Sequence, residues 1–178
     1  MLVPFLIAAA VVAAAAAWTD WRTGQIPNWL TLGGLAAGVL GHLLVGFRLG
    51  GGFHGALLEA GQSLGGVLFC GVVPAFMWQR GAIGGGDVKL FAALGALCQP
   101  MAGLEVETYA FVAAALIAPI KLVYRGELLK TLGRSATLIA NPFRKAEQRK
   151  EIPAELMTWF RLGPAIFLGA AATVLMHW

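Results

Sequence analysis

Apolar residues run through this chain in long, nearly unbroken blocks, and polar residues gather in the gaps between them. Such blocks predict membrane-spanning helices, because a span needs about 20 predominantly apolar residues. The first block, Leu2 to Ala17, has no Lys or Arg ahead of it. A secretory leader needs a positively charged start, so this block reads as a retained first span. Trp18 and Trp21 then mark the membrane interface, and a polar turn continues to Asn28. A second span is predicted from Trp29 to Leu49, with Gly34 and Gly38 at the spacing that lets helices approach closely. Gly50, Gly51, Gly52 and Gly55 make the next turn, and a third span covers Ala56 to Trp78. On it Gly61 and Gly65 repeat the packing spacing, and Glu59, Gln62 and Ser63 share a face, which reads as interfacial polarity or glue between helices.

A fourth span, Val88 to Leu104, and a fifth, Val106 to Tyr124, are joined by so short a turn that they form a hairpin, with Pro100 and Pro119 as kink positions. The stretch from Arg125 to Thr158 is the one long polar segment. In it Leu128, Leu129, Leu132, Ala136 and Ile139 fall on one helical face and Lys130 and Arg134 opposite, the pattern of an amphipathic helix on the membrane surface. The charged run Arg144 to Glu151 reads as a solvated loop, and a sixth span, Trp159 to Met176, follows. The expectation is an all-α, polytopic membrane protein of about six transmembrane helices, one domain over residues 1–178, with a cytoplasmic amphipathic and charged loop at about 125–158.

Composition agrees. A chain of 178 residues that is 58% hydrophobic and 12% charged has too much apolar surface for one soluble core, which places it in a lipid bilayer. The net charge of +4 is not a nucleic-acid footprint, because the basic residues lie beside the spans and cluster in one loop. Cys70 and Cys98 sit in apolar runs without a C-x-x-C partner, and His42, His54 and His177 are scattered, so neither a metal nor any other cofactor is expected.

Chemistry concentrates at Gly84-Gly85-Gly86-Asp87. A carboxylate where a membrane helix starts is costly and marks a functional site by default. The glycines have no Cβ and let another backbone pass close by, although an inter-helix turn with Asp87 as N-cap is the plainer reading. The other aspartate is Asp20; the chain has no third. Six spans put Asp20 and Asp87 at the same membrane face, each at a helix end. That is what an aspartic protease needs: one ionised carboxylate to take a proton from water and one protonated to polarise the scissile carbonyl. Two carboxylates a few ångströms apart do not both ionise easily and titrate as a pair.

Asp20 followed by Ile26-Pro27-Asn28, then Gly84-Gly85-Gly86-Asp87-Val88-Lys89-Leu90, then Gly163-Pro164-Ala165-Ile166 resembles the type IV prepilin peptidase family of GxGD membrane aspartyl proteases, nearest the short members that serve tight-adherence pili. The likeness extends over nearly the whole chain. It implies that Asp20 and Asp87 are the catalytic pair. It also implies cleavage of the basic leader of prepilin-like proteins at the cytoplasmic face of a prokaryotic inner membrane. Longer members carry an amino-terminal region with paired C-x-x-C motifs associated with methylation; this chain has none, so peptidase activity alone is expected. Presenilin-type enzymes share GxGD, but their partner aspartate follows a tyrosine within a span, whereas Asp20 follows Thr19 and precedes an I-P-N turn.

Around the pair, Gly84, Gly85 and Gly86 are expected to shape the loop and admit substrate backbone. Lys89 either stabilises an ionised Asp87 or snorkels toward lipid phosphates. Pro27 and Asn28 fix the entry to the second span, and Gly163 and Pro164 read as a packing or kink device. Two other classes compete. A proton-coupled transporter would use Asp20 and Asp87 as carriers with Glu59 as a third station, but would want its acids near mid-bilayer. A non-catalytic component of a pilus or secretion apparatus would need no paired aspartates.

Of the 13 Lys and Arg residues, only Arg48 falls on the face opposite the two aspartates. The positive-inside rule then puts both termini outside the cytoplasm and the aspartates at its edge. Reporter fusions after Arg125 and after Trp178 should report opposite sides, the former cytoplasmic; the same side for both would break the count of six.

Overall fold

The computed structural model describes residues 3–49, 51–124 and 161–178. They form five helices: α1 (Val3–Thr23), α2 (Asn28–Leu49), α3 (Phe53–Gln79), α4 (Gly85–Tyr124) and α5 (Gly163–His177). Among the described residues there is no strand. Four of the helices, α1 to α4, are long and apolar enough to cross a membrane, and α5 is a shorter apolar helix of 15 residues. Among the described residues the fold is therefore all-helical, and the chain is a multi-pass membrane protein. Met1–Ala114 with Arg161–Trp178 make one compact unit and Ala115–Phe160 a second, of which only the last turns of α4 are described. The surface helix expected at 128–139 and the charged run at 144–151 lie outside the described residues.

Helix α4 is not straight. Gln99 leaves helical geometry (φ 62°, ψ 174°) and divides it into two arms. The arms fold back on one another: the rings of Phe91 and Phe111 have centroids 5.5 Å apart, whereas 20 residues of unbroken helix would separate them by about 30 Å. This is the expected hairpin, but its turn lies at Gln99 and not between Leu104 and Val106. The reason is local. A proline disfavours helical geometry in the residue before it, and Gln99 precedes Pro100. Pro100 has no N–H to lose and can open the second arm, while Glu105 sits within that arm and bonds His177 at 2.7 Å.

The first arm is the middle of the molecule. Leu90, Phe91, Ala93, Leu94, Ala96, Leu97 and Cys98 are all buried, so the arm is apolar all round because it is covered all round. Helix α2 reaches it through Gly34, beside Ala93, and Gly38, beside the backbone of Ala96 and Leu97. Helix α3 reaches it through Gly66, which meets Gly95 backbone to backbone. Elsewhere α1 packs along α5 and α2 along α3. Two expected roles change. Gly61 has nothing near it, whereas Gly65 meets Pro100 and Gly66 makes the closest approach of α3 to the first arm, and Gly55 lies inside α3 against Gly46, with Gly51 and Gly52 in the turn at φ 90° and 78°.

The close approach at Gly38 is testable by one methyl group. A Cβ there would lie 2.6 Å from the Ala96 carbonyl carbon, a backbone atom that cannot swing aside, whereas a Cβ on Gly33 would meet nothing within 4 Å. Gly38→Ala should cost about 1–3 kcal/mol of stability. Thermal unfolding in detergent should show a lowered Tm for Gly38→Ala and none for Gly33→Ala.

Candidate active site

Helix α1 continues through Trp18 to Thr23, so Asp20 stands on a helix and not in the polar turn expected after Trp18. It follows Ala9, Ala13 and Ala16 on the buried face of α1 and is 7% exposed. Its Oδ2 accepts the backbone N–H of Gly163 at 3.1 Å. Gly163 is the first residue of α5, where N–H groups have no partner within the helix and carry partial positive charge. Asp20 thus fills the role of a capping residue for a helix distant in sequence. The approach requires glycine: a Cβ at 163 would stand 2.8 Å from Oδ2 and 2.9 Å from the Cβ of Asp20. Gly163-Pro164 is therefore the start of α5 and the seat of Asp20 as well as the packing position expected of it, since a Cβ at 163 would also lie 3.2 Å from the Ala17 backbone of α1. Beside it Arg161 donates from Nη1 to the Trp21 carbonyl in the last turn of α1, a cation at a helix C-terminus.

Asp87 sits in the first turn of α4, 9% exposed. Gly84 precedes the helix and exchanges two bonds with it. The Asp87 N–H donates to the Gly84 carbonyl and the Gly84 N–H to Asp87 Oδ2, both at 3.1 Å. The second bond is the return half of a capping box, with Gly84 as an N-cap that has no side chain and Asp87 three residues on, so Asp87 is not itself the N-cap of the plainer reading. Each carboxyl is thus placed against N–H groups at a helix start, and among the described residues each is held through Oδ2. Ile26, six residues after Asp20, packs against Gly86, the residue before Asp87, so both carboxyls belong to the same end of the helix bundle.

The segment from Ile26 to Asn28 joins them. A Cβ on Gly86 would lie 3.3 Å from the Ile26 Cβ, so Gly86 makes room for the I-P-N turn, while a Cβ on Gly85 would lie 3.5 Å from the Trp78 indole nitrogen. Pro27 offers its carbonyl to the N–H groups of Leu30 and Thr31, and the Asn28 carbonyl accepts from the Thr31 hydroxyl, which sets the entry to α2. Lys89 donates from Nζ to Asn28 Oδ1 at 2.8 Å, tying the start of α4 to the start of α2. Neither role expected of Lys89 includes that bond. Trp18, Trp21, Trp29 and Trp78, all exposed, flank these turns as an interfacial belt.

A family model described as the Type IV leader peptidase family matches residues 7–119, a stretch that holds both Asp20 and Asp87. The chain belongs to the type IV leader peptidase family. No curated protein and no solved structure matches it. Membership makes this leader peptidase an aspartic-type peptidase and bears out the resemblance drawn from its motifs. The match stops before α5, so the contact of Gly163 with Asp20 is a feature that only the folded chain displays. Gly-Pro at a helix start was the sequence signal that could have located that terminus. Among the described residues no three of His, Cys, Asp and Glu are grouped to hold a metal ion. Glu107 drew no attention as sequence, yet it is 4% exposed with Oε2 unpartnered among the described residues.

Gly163→Ala tests the seat of Asp20. The added methyl would push the carboxyl aside without removing it, and misplacing a reacting group by an ångström costs about 100-fold. Turnover of a leader-bearing substrate should fall about 10- to 100-fold with KM little changed.

Proposed function

We propose that this leader peptidase hydrolyses the peptide bond after the basic leader of prepilin-like proteins, with Asp20 and Asp87 as its catalytic pair. The observation that carries the reading is that the chain's two aspartates, 67 positions apart by number, are both buried, both set against helix N-termini and both at the end of the bundle where Ile26 packs on Gly86. Partial positive charge at a helix start favours an anion, and repulsion between neighbouring carboxylates favours one shared proton. The pair can then hold one ionised and one protonated member.

The ionised member takes a proton from a water as that water attacks the scissile carbonyl. The protonated member hydrogen-bonds the carbonyl oxygen as it gains charge. Collapse of the tetrahedral species expels the new amino terminus, which receives a proton from the pair. With Oδ2 of each carboxyl engaged by backbone, Oδ1 of each is left to water and substrate. Gly84, Gly85, Gly86, Pro27, Asn28 and Lys89 shape the loop and turn that frame the pair. The excess of basic residues on this side orients the site to the cytoplasm, in the inner membrane of a prokaryote, and the chemistry described is peptidase chemistry without methyl transfer. Glu59, the third station of the proton-relay reading, accepts a hydrogen bond from Gln99 and joins α3 to α4.

The test is substitution with substrate in hand. Asp20→Asn and Asp87→Asn keep size and hydrogen bonding but remove the titrating group, so each should abolish leader cleavage on a gel while the protein still accumulates in the membrane. The double variant should be no worse than either, because groups acting as one unit are not additive. Glu59→Gln should turn over near normally. Cleavage by Asp20→Asn at close to the parent rate would show that the pair is wrong.

A further inference from the structure

The first arm of α4 runs from Gly85 to Cys98, 14 residues before the break at Gln99, or about 21 Å of helix. That is short of the roughly 30 Å hydrocarbon core, so in a membrane it ends inside apolar surroundings with its last carbonyls unpaired. Each such group left alone there costs several kcal/mol. Two are taken by side chains from other helices. Ser63 on α3 donates to the Ala96 carbonyl at 2.7 Å, and His42 on α2 donates from Nε2 to the Leu97 carbonyl at 2.9 Å. A carbonyl can only accept, so the proton is on Nε2, and Nδ1 is left to accept from the Gln99 amide at 3.2 Å. The same amide donates to Glu59 Oε2 on α3 at 2.7 Å, and Phe5 of α1 stacks on the His42 ring at 3.9 Å.

The backbone at Gln99 lies in a region that is essentially glycine's alone and is strained for any other residue. A glutamine persists there because its side chain is bound from two helices at once. Glycine contacts key the same end of the arm. Gly38 lies on the Ala96 carbonyl and Gly66 on Gly95. The opposite end of this arm, 12 residues away or about 18 Å, carries Asp87. Asp20 belongs to a different partnership, α1 with α5. The position of one carboxyl relative to the other is therefore the register of the first arm, held by α2 and α3, against the α1–α5 pair.

We propose that Gln99, clamped by Glu59 and His42, is a positioning residue for Asp87: the clamp fixes how far the first arm of α4 slides along α2 and α3, and so sets Asp87 beside Asp20. The inference rests on the reading of Asp87 as one of the catalytic pair, but its test has a readout besides turnover. In a background with Cys70 and Cys98 replaced by alanine, an Asp20→Cys/Asp87→Cys variant should be joined by a short bifunctional maleimide. Adding Gln99→Gly, which adopts the required φ freely and so folds without the clamp, should lower that cross-linking several-fold. Glu59→Leu should do the same, whereas Glu59→Gln keeps an acceptor for the Gln99 amide and should leave it intact. In the chain with both aspartates, Gln99→Gly should lower kcat about 10-fold or more, with KM within about 2-fold and the folded fraction unchanged in detergent. Equal cross-linking with and without the Gln99 amide overturns the clamp and leaves the pair standing. Failure of the cysteine pair to cross-link in the parent background overturns the pair itself and the clamp with it.

Discussion

Every backbone N–H and C=O in an apolar setting needs a partner inside the protein, and this constraint explains where the polar side chains of this peptidase are. An unbroken helix meets it alone. α4 breaks at Gln99, and the side chains that answer the break are those that look anomalous as sequence: a histidine in the second apolar block, and a serine and a glutamate in the third. His42 and Ser63 are buried because they complete the end of a helix to which neither belongs. The same need accounts for the glycines around the break. The carbonyls can be reached, and the arm enclosed, only if the neighbouring helices come in to backbone contact.

At the opposite end of the same arm the constraint is met by acids. Helix starts present N–H groups without intrahelical partners, and two of them, at α4 and α5, are met by Asp87 and Asp20. The two carboxyls proposed as the catalytic pair thus also have a structural duty. An aspartate that caps a helix is held in a fixed rotamer by the fold, which is the condition for a carboxyl to act at a defined place and not merely to be present. The tryptophans beside these turns place that end of the bundle at the membrane surface, where water and an extended peptide are both available.

The sequence alone determined the helical, membrane-embedded class, the entry to α2 at Asn28, the fold-back of α4, the two aspartates and the family, because each follows from block length, local turn chemistry or residue identity. It misjudged what depends on contacts between distant segments. α1 runs on past Trp18, because Asp20 continues the buried face set by Ala9, Ala13 and Ala16, a face that exists only once α5 is present. The turn of α4 falls at Gln99, a position marked by Pro100 but made tenable by Glu59 and His42. Gly163, Gly66 and Lys89 have roles set by Asp20, Gly95 and Asn28, none of them a near neighbour in sequence. Hydrophobic blocks specify that helices form, since each helix closes its own hydrogen bonds. Which faces meet, and which carboxyl lies at which helix start, is decided by packing between helices, and that is a property of the folded chain alone.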